Sequence, residues 1–219
     1  MSGNGTQPFA AERWSMVESQ LRQRGICDER LLAAMNKVPR HEFVNQQNWN
    51  EAYADHPIPI AEQQTTSQPY MIAAMIQAAQ IKPQDRILEI GAGSGYQTAL
   101  LAELANQVFA VERYASLAEA AQRTLDRLGY RNTKIFTGDG SLGLPHAAPF
   151  DAIIVSAAAP RIPQALAEQL AIGGRLLIPV GGSDQQILQL VQRNADGTSV
   201  RTLEGCRFVR LIGEQGFAA

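Results

Sequence analysis

Apolar residues follow two different periods along the chain, which separates a helical N-terminal part from an alternating core. From Trp14 to Leu21 they recur every three or four residues, the spacing of one helix face. Gly25 ends this pattern, and Asp28 stands where an N-cap would start a second helix over residues 29–37. The pattern therefore predicts a small helical unit at the start of the chain.

From about residue 81 short apolar runs alternate with helical stretches, which is typical of a parallel sheet covered by helices. We predict an α/β fold with a doubly wound, mostly parallel, Rossmann-like sheet and an antiparallel C-terminal strand. Residues 1–80 should carry the helical unit and a polar loop, and residues 81–219 a ligand-binding core, within one compact domain. The predicted strands cover residues 86–90, 107–112, 133–137, 150–158, 173–181, 187–193, 198–203 and 206–212, and the later helices cover 71–79, 97–105, 115–128 and 163–170.

A glycine-rich turn joins the first core strand to its helix. Gly91, Gly93 and Gly95 alternate with other residues in the run Glu-Ile-Gly-Ala-Gly-Ser-Gly, which starts at Glu89 and includes Ser94. Glycines in such a turn let a nucleotide-like ligand approach bare backbone at a helix N-terminus and tolerate positive φ angles. The spacing differs from the Gly-x-Gly-x-x-Gly of dinucleotide binders, which disfavours a NAD-dependent dehydrogenase. We expect these residues to contact a cofactor, with a ligand-free turn as the alternative.

Two acidic residues lie where an open α/β sheet binds ligands, at the carboxyl ends of predicted strands. Glu112 follows the glycines by about 20 residues, the offset at which a carboxylate meets ribose hydroxyls in nucleotide-binding units. Asp139 stands between two glycines after the next strand, where it could accept a hydrogen bond from an adenine amino group. The alternatives are a solvated acid for the first and a tight turn for the second.

A polar stretch over residues 61–70 precedes the predicted helix 71–79 and contains hardly any aliphatic side chain. Gln64, Thr65 and Ser67 offer amide and hydroxyl groups that can hydrogen-bond a carboxylate without carrying charge. This composition favours substrate recognition over acid–base chemistry. Ser67 could also serve as the N-cap of the following helix, and the two roles are compatible.

Composition excludes several classes of protein. The 219 residues are 45% hydrophobic and 18% charged with a net charge of -2, which argues for a globular core and against nucleic-acid binding. No apolar run reaches membrane-spanning length and no signal peptide is evident, so a cytoplasmic protein is expected. Cys27 and Cys206 form no disulfide framework or metal motif. His41 and His56 have no partner in view, so a structural role is favoured over a catalytic one.

From about residue 17 to residue 212 the chain resembles the protein-L-isoaspartate (D-aspartate) O-methyltransferase family, a group of S-adenosylmethionine-dependent enzymes. The glycine run fits many methyltransferases, whereas the polar segment Gln-Thr-x-Ser-Gln-Pro is much more specific. Two positions depart from the family's usual Gly-Gln-Thr-Ile-Ser-Gln-Pro, since Gln63 replaces the glycine and Thr66 the isoleucine. The matching segments are residues 16–26, 38–44, 52–60, 64–70, 87–97, 138–140, 148–155 and 173–176.

The resemblance implies methyl transfer from S-adenosyl-L-methionine to the free carboxylate of L-isoaspartyl and D-aspartyl residues in damaged proteins. The methyl ester would then collapse to a succinimide, which starts repair. The implied partners are damaged proteins and peptides, with no nucleic acid, membrane, metal or obligate protein partner. Ser67 matches the family's active-site serine, the three glycines its cofactor loop, Glu112 the ribose acid and Asp139 the acid near adenine.

A carboxylate is already ionised and nucleophilic at neutral pH, so this reaction requires no strong base and explains the absence of an acid–base dyad. Ser67 is then expected to position the substrate, with Gln64 and Thr65, and not to act as a nucleophile. Two alternatives stay open. The chain could methylate another carboxylate or a small molecule, which Gln63 and Thr66 would favour, or it could bind cofactor without turnover.

Overall fold

The computed structural model describes residues 8–182 and 185–218. The polar, glycine-rich composition of residues 1–8 predicts a tail, and residues 1–7 lie outside the described residues. The helices are α1 (Ala10–Ser15), which continues as a π-helix (Met16–Leu21) and a 3-10 turn (Arg22–Arg24), α2 (Glu29–Lys37), α3 (Pro69–Ala79), α4 (Tyr96–Leu104), α5 (Ala115–Arg127) and α6 (Gln164–Glu168). The strands are β1 (Ile58–Pro59), β2 (Thr65–Thr66), β3 (Arg86–Ile90), β4 (Gln107–Glu112), β5 (Thr133–Thr137), β6 (Phe150–Val155), β7 (Leu170–Gly181), β8 (Gln186–Asn194) and β9 (Gly197–Cys206).

Within the described residues, seven strands form the central sheet in the order β5-β4-β3-β6-β7-β8-β9. The five from β5 to β7 are parallel, and β8 and β9 join antiparallel, so the predicted fold class is confirmed. The interior strands are hydrophobic because both faces are covered, and Leu88, Ala110 and Ile153 have no exposed surface. The chain reverses its winding between β3 and β6, which is where open α/β sheets bind ligands.

The C-terminal part departs from the prediction in one respect. The antiparallel portion has two strands, β8 and β9, whereas the strand expected over residues 206–212 is not formed. Backbone groups in that segment bond instead to the loop after β6, where Ala158 N donates to Val209 O and Leu211 N donates to Ala158 O. The segment therefore crosses the carboxyl end of the sheet and does not extend its edge.

Both predicted N-terminal helices are present. The second has the expected boundaries, whereas the first begins at Ala10, ahead of the apolar pattern that starts at Trp14. Gly25 ends the first with φ of 91°, and the Asp28 side chain caps α2 by accepting from the backbone N–H groups of Arg30 and Leu31. Side chains from both sides of residue 80, such as Leu32 and Leu101, belong to the same buried cluster. The boundary near residue 80 stays a prediction, and the two parts share one apolar core.

The polar stretch forms a small hairpin and not an open loop. β1 pairs antiparallel with β2, with Ile58 opposite Thr66. Its turn places Glu62 and Gln63 at φ of 57° and 55°, a left-handed conformation that side chains other than glycine adopt with strain. Gln63 stands where the family pattern has glycine, and this backbone explains that preference.

Candidate active site

A cavity of about 370 Å³ lies at the carboxyl ends of β3, β4 and β6. We call it the glycine-loop cavity. Its walls are formed by the glycine turn, by Glu89 and Glu112 at the ends of β3 and β4, by the hairpin and by the segment after β9. The lining residues are Gln64, Thr65, Thr66, Ser67, Ile72, Glu89, Ile90, Gly91, Ala92, Gly93, Ser94, Gln97, Val111, Glu112, Arg113, Tyr114, Gly140, Ser156, Ala157, Val209, Arg210, Leu211 and Ile212.

The three glycines of the turn have positive φ angles, 86° at Gly91, 53° at Gly93 and 87° at Gly95. Gly91 and Gly93 line the cavity, whereas Gly95 lies outside the lining and is the N-cap of α4. A Cβ on Gly95 would come within 3.0 Å of the Ala121 Cβ, so this glycine lets α4 and α5 approach closely. The turn lies where the sequence predicts it. Gly95 also serves packing, and its predicted contact with the cofactor stays a prediction.

Glu112 ends β4 at the rim of the cavity and is 5% exposed. One carboxylate oxygen accepts from Gly93 N at 2.9 Å and the other accepts from Tyr114 N at 3.0 Å. These bonds tie the glycine turn to the neighbouring strand. Each oxygen keeps a lone pair for a further donor, which is what vicinal hydroxyls of a ribose would need.

Glu89 lies on the cavity wall at the end of β3 with no exposed surface. Thr98 Oγ1 donates to it at 2.6 Å and Gln97 Nε2 donates at 3.0 Å. Burial raises the pKa of Glu89 to about 8, although these two hydrogen bonds act in the opposite direction. A cation that binds in the cavity would therefore favour the ionised form of this carboxyl group.

The hairpin segment brings Gln64, Thr65 and Ser67 to the same cavity, and their substrate-binding role stays a prediction. The N-cap position of α3 belongs to Gln68, so the proposed capping role of Ser67 is wrong. A residue that sequence reasoning missed holds this segment, because buried Arg40 donates from Nη2 to Ser67 O at 2.8 Å.

The Arg40 guanidinium also lies 4.8 Å from the centre of the Tyr96 ring. Burial lowers the pKa of Arg40, and the aromatic ring compensates part of this cost. Nothing in the local pattern of residues 38–44 indicates this contact, because Arg40 and Ser67 are 27 positions apart.

Asp139 is not among the residues that line the cavity, although its neighbour Gly140 is. Its Oδ1 accepts from the N–H and the hydroxyl of Ser141, and its Oδ2 accepts from Glu214 N at 2.8 Å. Burial acts to raise the pKa of Asp139, but these hydrogen bonds and the charge of Arg113 bring it below its ordinary value. Asp139 thus binds the backbone of the C-terminal segment beside the cavity. Its role near adenine stays a prediction.

A second cavity of about 530 Å³ adjoins the first. We call it the β9 cavity because residues at and after the end of β9 line it. Thr65, Ser67, Ser156 and Val209 line both cavities and therefore form their common wall. Burial raises the pKa of Cys206 to about 11, so its thiol is not a nucleophile near neutral pH. The other lining residues are Pro57, Gln68, Met71, Gly205, Arg207 and Phe208.

The two candidate histidines lie away from both cavities. His41 is 4% exposed among Phe9, Trp49 and Tyr53, and its Nδ1 lies 2.7 Å from Tyr53 Oη. Burial lowers the pKa of His41, with a smaller contribution from the charge of a nearby arginine. His56 is exposed. The geometry supports a structural role for His41, as the sequence favoured.

Fold and site together define a class of protein. A sheet of this topology, a glycine turn facing a cavity and an acid at the end of β4 are features of the Rossmann-like S-adenosylmethionine-dependent methyltransferases. Within the described residues, no helix is long and apolar enough to cross a membrane.

Comparison with known proteins identifies the family. The profile of the protein-L-isoaspartate(D-aspartate) O-methyltransferase family matches residues 12–216. A protein-L-isoaspartate O-methyltransferase of Koribacter versatilis is 54% identical over 210 residues, which cover 96% of this chain and 95% of that protein. The corresponding protein of Syntrophus aciditrophicus is 52% identical over 96% of this chain and 98% of its own length.

A solved structure extends the likeness to three dimensions. The crystal structure of a beta-aspartate methyltransferase from Plasmodium falciparum, in complex with S-adenosyl-L-homocysteine, superposes with a TM-score of 0.80. The two are 27% identical, and the match covers 91% of this chain and 98% of the other. The chain belongs to the protein-L-isoaspartate(D-aspartate) O-methyltransferase family and is an S-adenosylmethionine-dependent enzyme.

Proposed function

We propose that this enzyme transfers the methyl group of S-adenosylmethionine to the free carboxylate of L-isoaspartyl and D-aspartyl residues in damaged proteins. The observation that carries the proposal is the common wall of the two cavities. Ser67 and Thr65 lie on this wall, and both belong to the family's most specific segment. Because the two cavities share these residues, a cofactor bound in one cavity would lie next to a peptide carboxylate bound in the other.

The glycine-loop cavity fits the cofactor. Gly91, Gly93 and Ser94 line it, Glu112 would accept from the ribose hydroxyls, and Glu89 would accept from the amino group of the methionine portion. When bound there, S-adenosylmethionine supplies an activated methyl group on a cationic sulfur. The protein therefore has to bind and orient the cofactor and the acceptor, and to exclude water from the cavity.

The hydroxyl groups on the wall would hold the acceptor carboxylate. Its oxygen attacks the methyl carbon, the carbon–sulfur bond breaks, and the electron pair stays on sulfur, so no proton has to move. Ser67 donates a hydrogen bond to the carboxylate, helped by Thr65 and by Gln64 at the cavity rim. The methyl ester then loses methanol when the adjacent backbone nitrogen attacks it, and the resulting succinimide hydrolyses to a mixture that includes normal aspartate.

Neither departure from the family segment lines the β9 cavity, which supports an unchanged acceptor. Thr66 is 7% exposed and lies 3.5 Å from Arg40 Nη1, and Gln63 lies in the turn of the hairpin. Damaged proteins are thus the proposed partners, and the cytoplasm is the proposed location.

Methyl transfer from labelled S-adenosylmethionine to a synthetic isoaspartyl peptide tests the proposal, with the normal aspartyl peptide as the matched control. We expect label on the isoaspartyl peptide alone, followed by succinimide formation. Equal labelling of both peptides, or transfer only to an unrelated acceptor with cofactor still bound, would contradict it.

A further inference from the structure

Ser156 is a hydroxyl residue that sequence reasoning did not single out, and the fold holds it at the junction of the two cavities. It directly follows β6, and its N–H donates to Ile90 O at 2.8 Å, which fixes its backbone against the end of β3. Ser156 lines both cavities, as do Thr65 and Ser67. Ser156 therefore reaches the junction from the end of the sheet, whereas Thr65 and Ser67 reach it from the hairpin segment.

The side chain of Gln97 determines what Ser156 can do. Gln97 is 6% exposed on α4, and its Nε2 donates to Glu89 Oε1 at 3.0 Å and to Ser156 Oγ at 3.0 Å. An amide NH₂ group only donates, so both of its hydrogens are used and Ser156 Oγ is an acceptor in this contact. The hydroxyl hydrogen of Ser156 is consequently left for another acceptor, and the cavity junction lies beside it.

We infer that Ser156 is a second substrate-binding hydroxyl, which donates to the acceptor carboxylate from the sheet side while Ser67 donates from the hairpin side. This inference rests on the proposed function, since it assigns a second hydrogen-bond donor to the acceptor carboxylate of that reaction. A donor on the attacking oxygen would withdraw electron density, so the useful contact is to the other oxygen. Two donors from separate elements, the hairpin segment and the end of β6, restrict the orientation of the carboxylate and so direct one oxygen towards the methyl group.

Steady-state kinetics with the isoaspartyl peptide test the inference through three variants. Ser156→Ala removes the hydroxyl, Ser156→Thr keeps it, and Ser199→Ala changes an exposed serine of β9 as a control. A hydrogen bond to a charged group contributes roughly 1.5–3 kcal/mol, so Ser156→Ala should lower kcat/KM about 10- to 100-fold. We expect Ser156→Thr to keep most of the activity and Ser199→Ala to keep all of it.

Two further measurements separate binding of the acceptor from packing and from cofactor binding. The affinity for S-adenosylhomocysteine should be the same for Ser156→Ala as for the wild type, and the thermal midpoint should fall only by the small amount expected when Gln97 Nε2 loses one acceptor. A matching loss of cofactor affinity, equal losses in the Ala and Thr variants, or an unchanged kcat/KM in Ser156→Ala would each overturn the inference. A wild-type enzyme that does not methylate the isoaspartyl peptide would overturn the proposed function and this inference together, so the two failures are distinguishable.

Discussion

Binding of the cofactor should release a proton from Glu89 near pH 7. Burial raises the pKa of this carboxyl group to about 8, so roughly nine-tenths of the cofactor-free molecules carry the proton at pH 7. An ammonium group of the cofactor beside Glu89 favours the ionised form and lowers that pKa. We therefore expect release of close to one proton on binding, and an affinity that rises about tenfold between pH 6 and pH 7 and levels off above pH 8.

The same group gives the cofactor-free protein a pH-dependent stability. The folded pKa lies above the ordinary value of 4.5, so the folded state binds more protons than the unfolded state. Its contribution is fully present below about pH 4.5 and is lost as the pH rises towards about 8. The loss is on the order of a few kcal/mol, since each tenfold change in proton affinity is worth about 1.4 kcal/mol.

Titration calorimetry with S-adenosylhomocysteine measures the released proton. The observed enthalpy at pH 7, compared between phosphate and Tris buffers, gives the number of protons from its dependence on buffer ionisation enthalpy. Glu89→Gln should abolish that dependence, whereas Glu119→Gln on the exposed face of α5 should leave it unchanged. A wild-type enthalpy independent of buffer, or the same dependence in Glu89→Gln, would refute the reasoning.

Three further substitutions test residues that bind the substrate or hold the walls of the site in place. Ser67→Ala should lower kcat/KM for the isoaspartyl peptide about tenfold or more and leave cofactor affinity unchanged; a loss of cofactor affinity in a folded variant would contradict its positioning role. Arg40→Met removes a buried cation but keeps the apolar stem, so the unfolding free energy from urea titration should change by less than about 2 kcal/mol. The kcat/KM of this variant should nevertheless fall at least tenfold, because Ser67 O loses its donor, and full activity would contradict that anchor. Asp139→Asn weakens the bond to Glu214 N, so hydrogen exchange should quicken over residues 207–218 and cofactor affinity should fall, whereas unaltered exchange would show that the segment is held by other contacts.

Local signals explain why the cofactor side of the site was predictable. The glycine turn and Glu112 are recognised because strand, turn and helix follow one another within about 30 residues, so their spacing carries the geometry. The residues 64–67 were recognised by composition and resemblance, although their hairpin pairing was not. The sequence also predicted strands β4 and β5 at their observed boundaries.

Long-range contacts explain the parts that were missed. No local period marks Arg40, Ser156 or the segment after β9, because tertiary packing brings them to the site from distant positions. Arg40 comes from a 3-10 turn of the N-terminal part, and Ser156 from the end of a sheet strand. The prediction of a strand over residues 206–212 is wrong for the same reason. Its apolar residues fit a strand, but their backbone partners lie in the loop after β6.

Two adjoining cavities with one common wall have a kinetic consequence. Most of the residues that line one cavity do not line the other, so each cavity has walls of its own. A methylated peptide can therefore depart while spent cofactor stays bound, or the reverse, and neither reactant has to arrive first. Initial-rate measurements with both concentrations varied should thus show a random order of addition, so the enzyme can accept a damaged chain whether or not its cofactor is already in place.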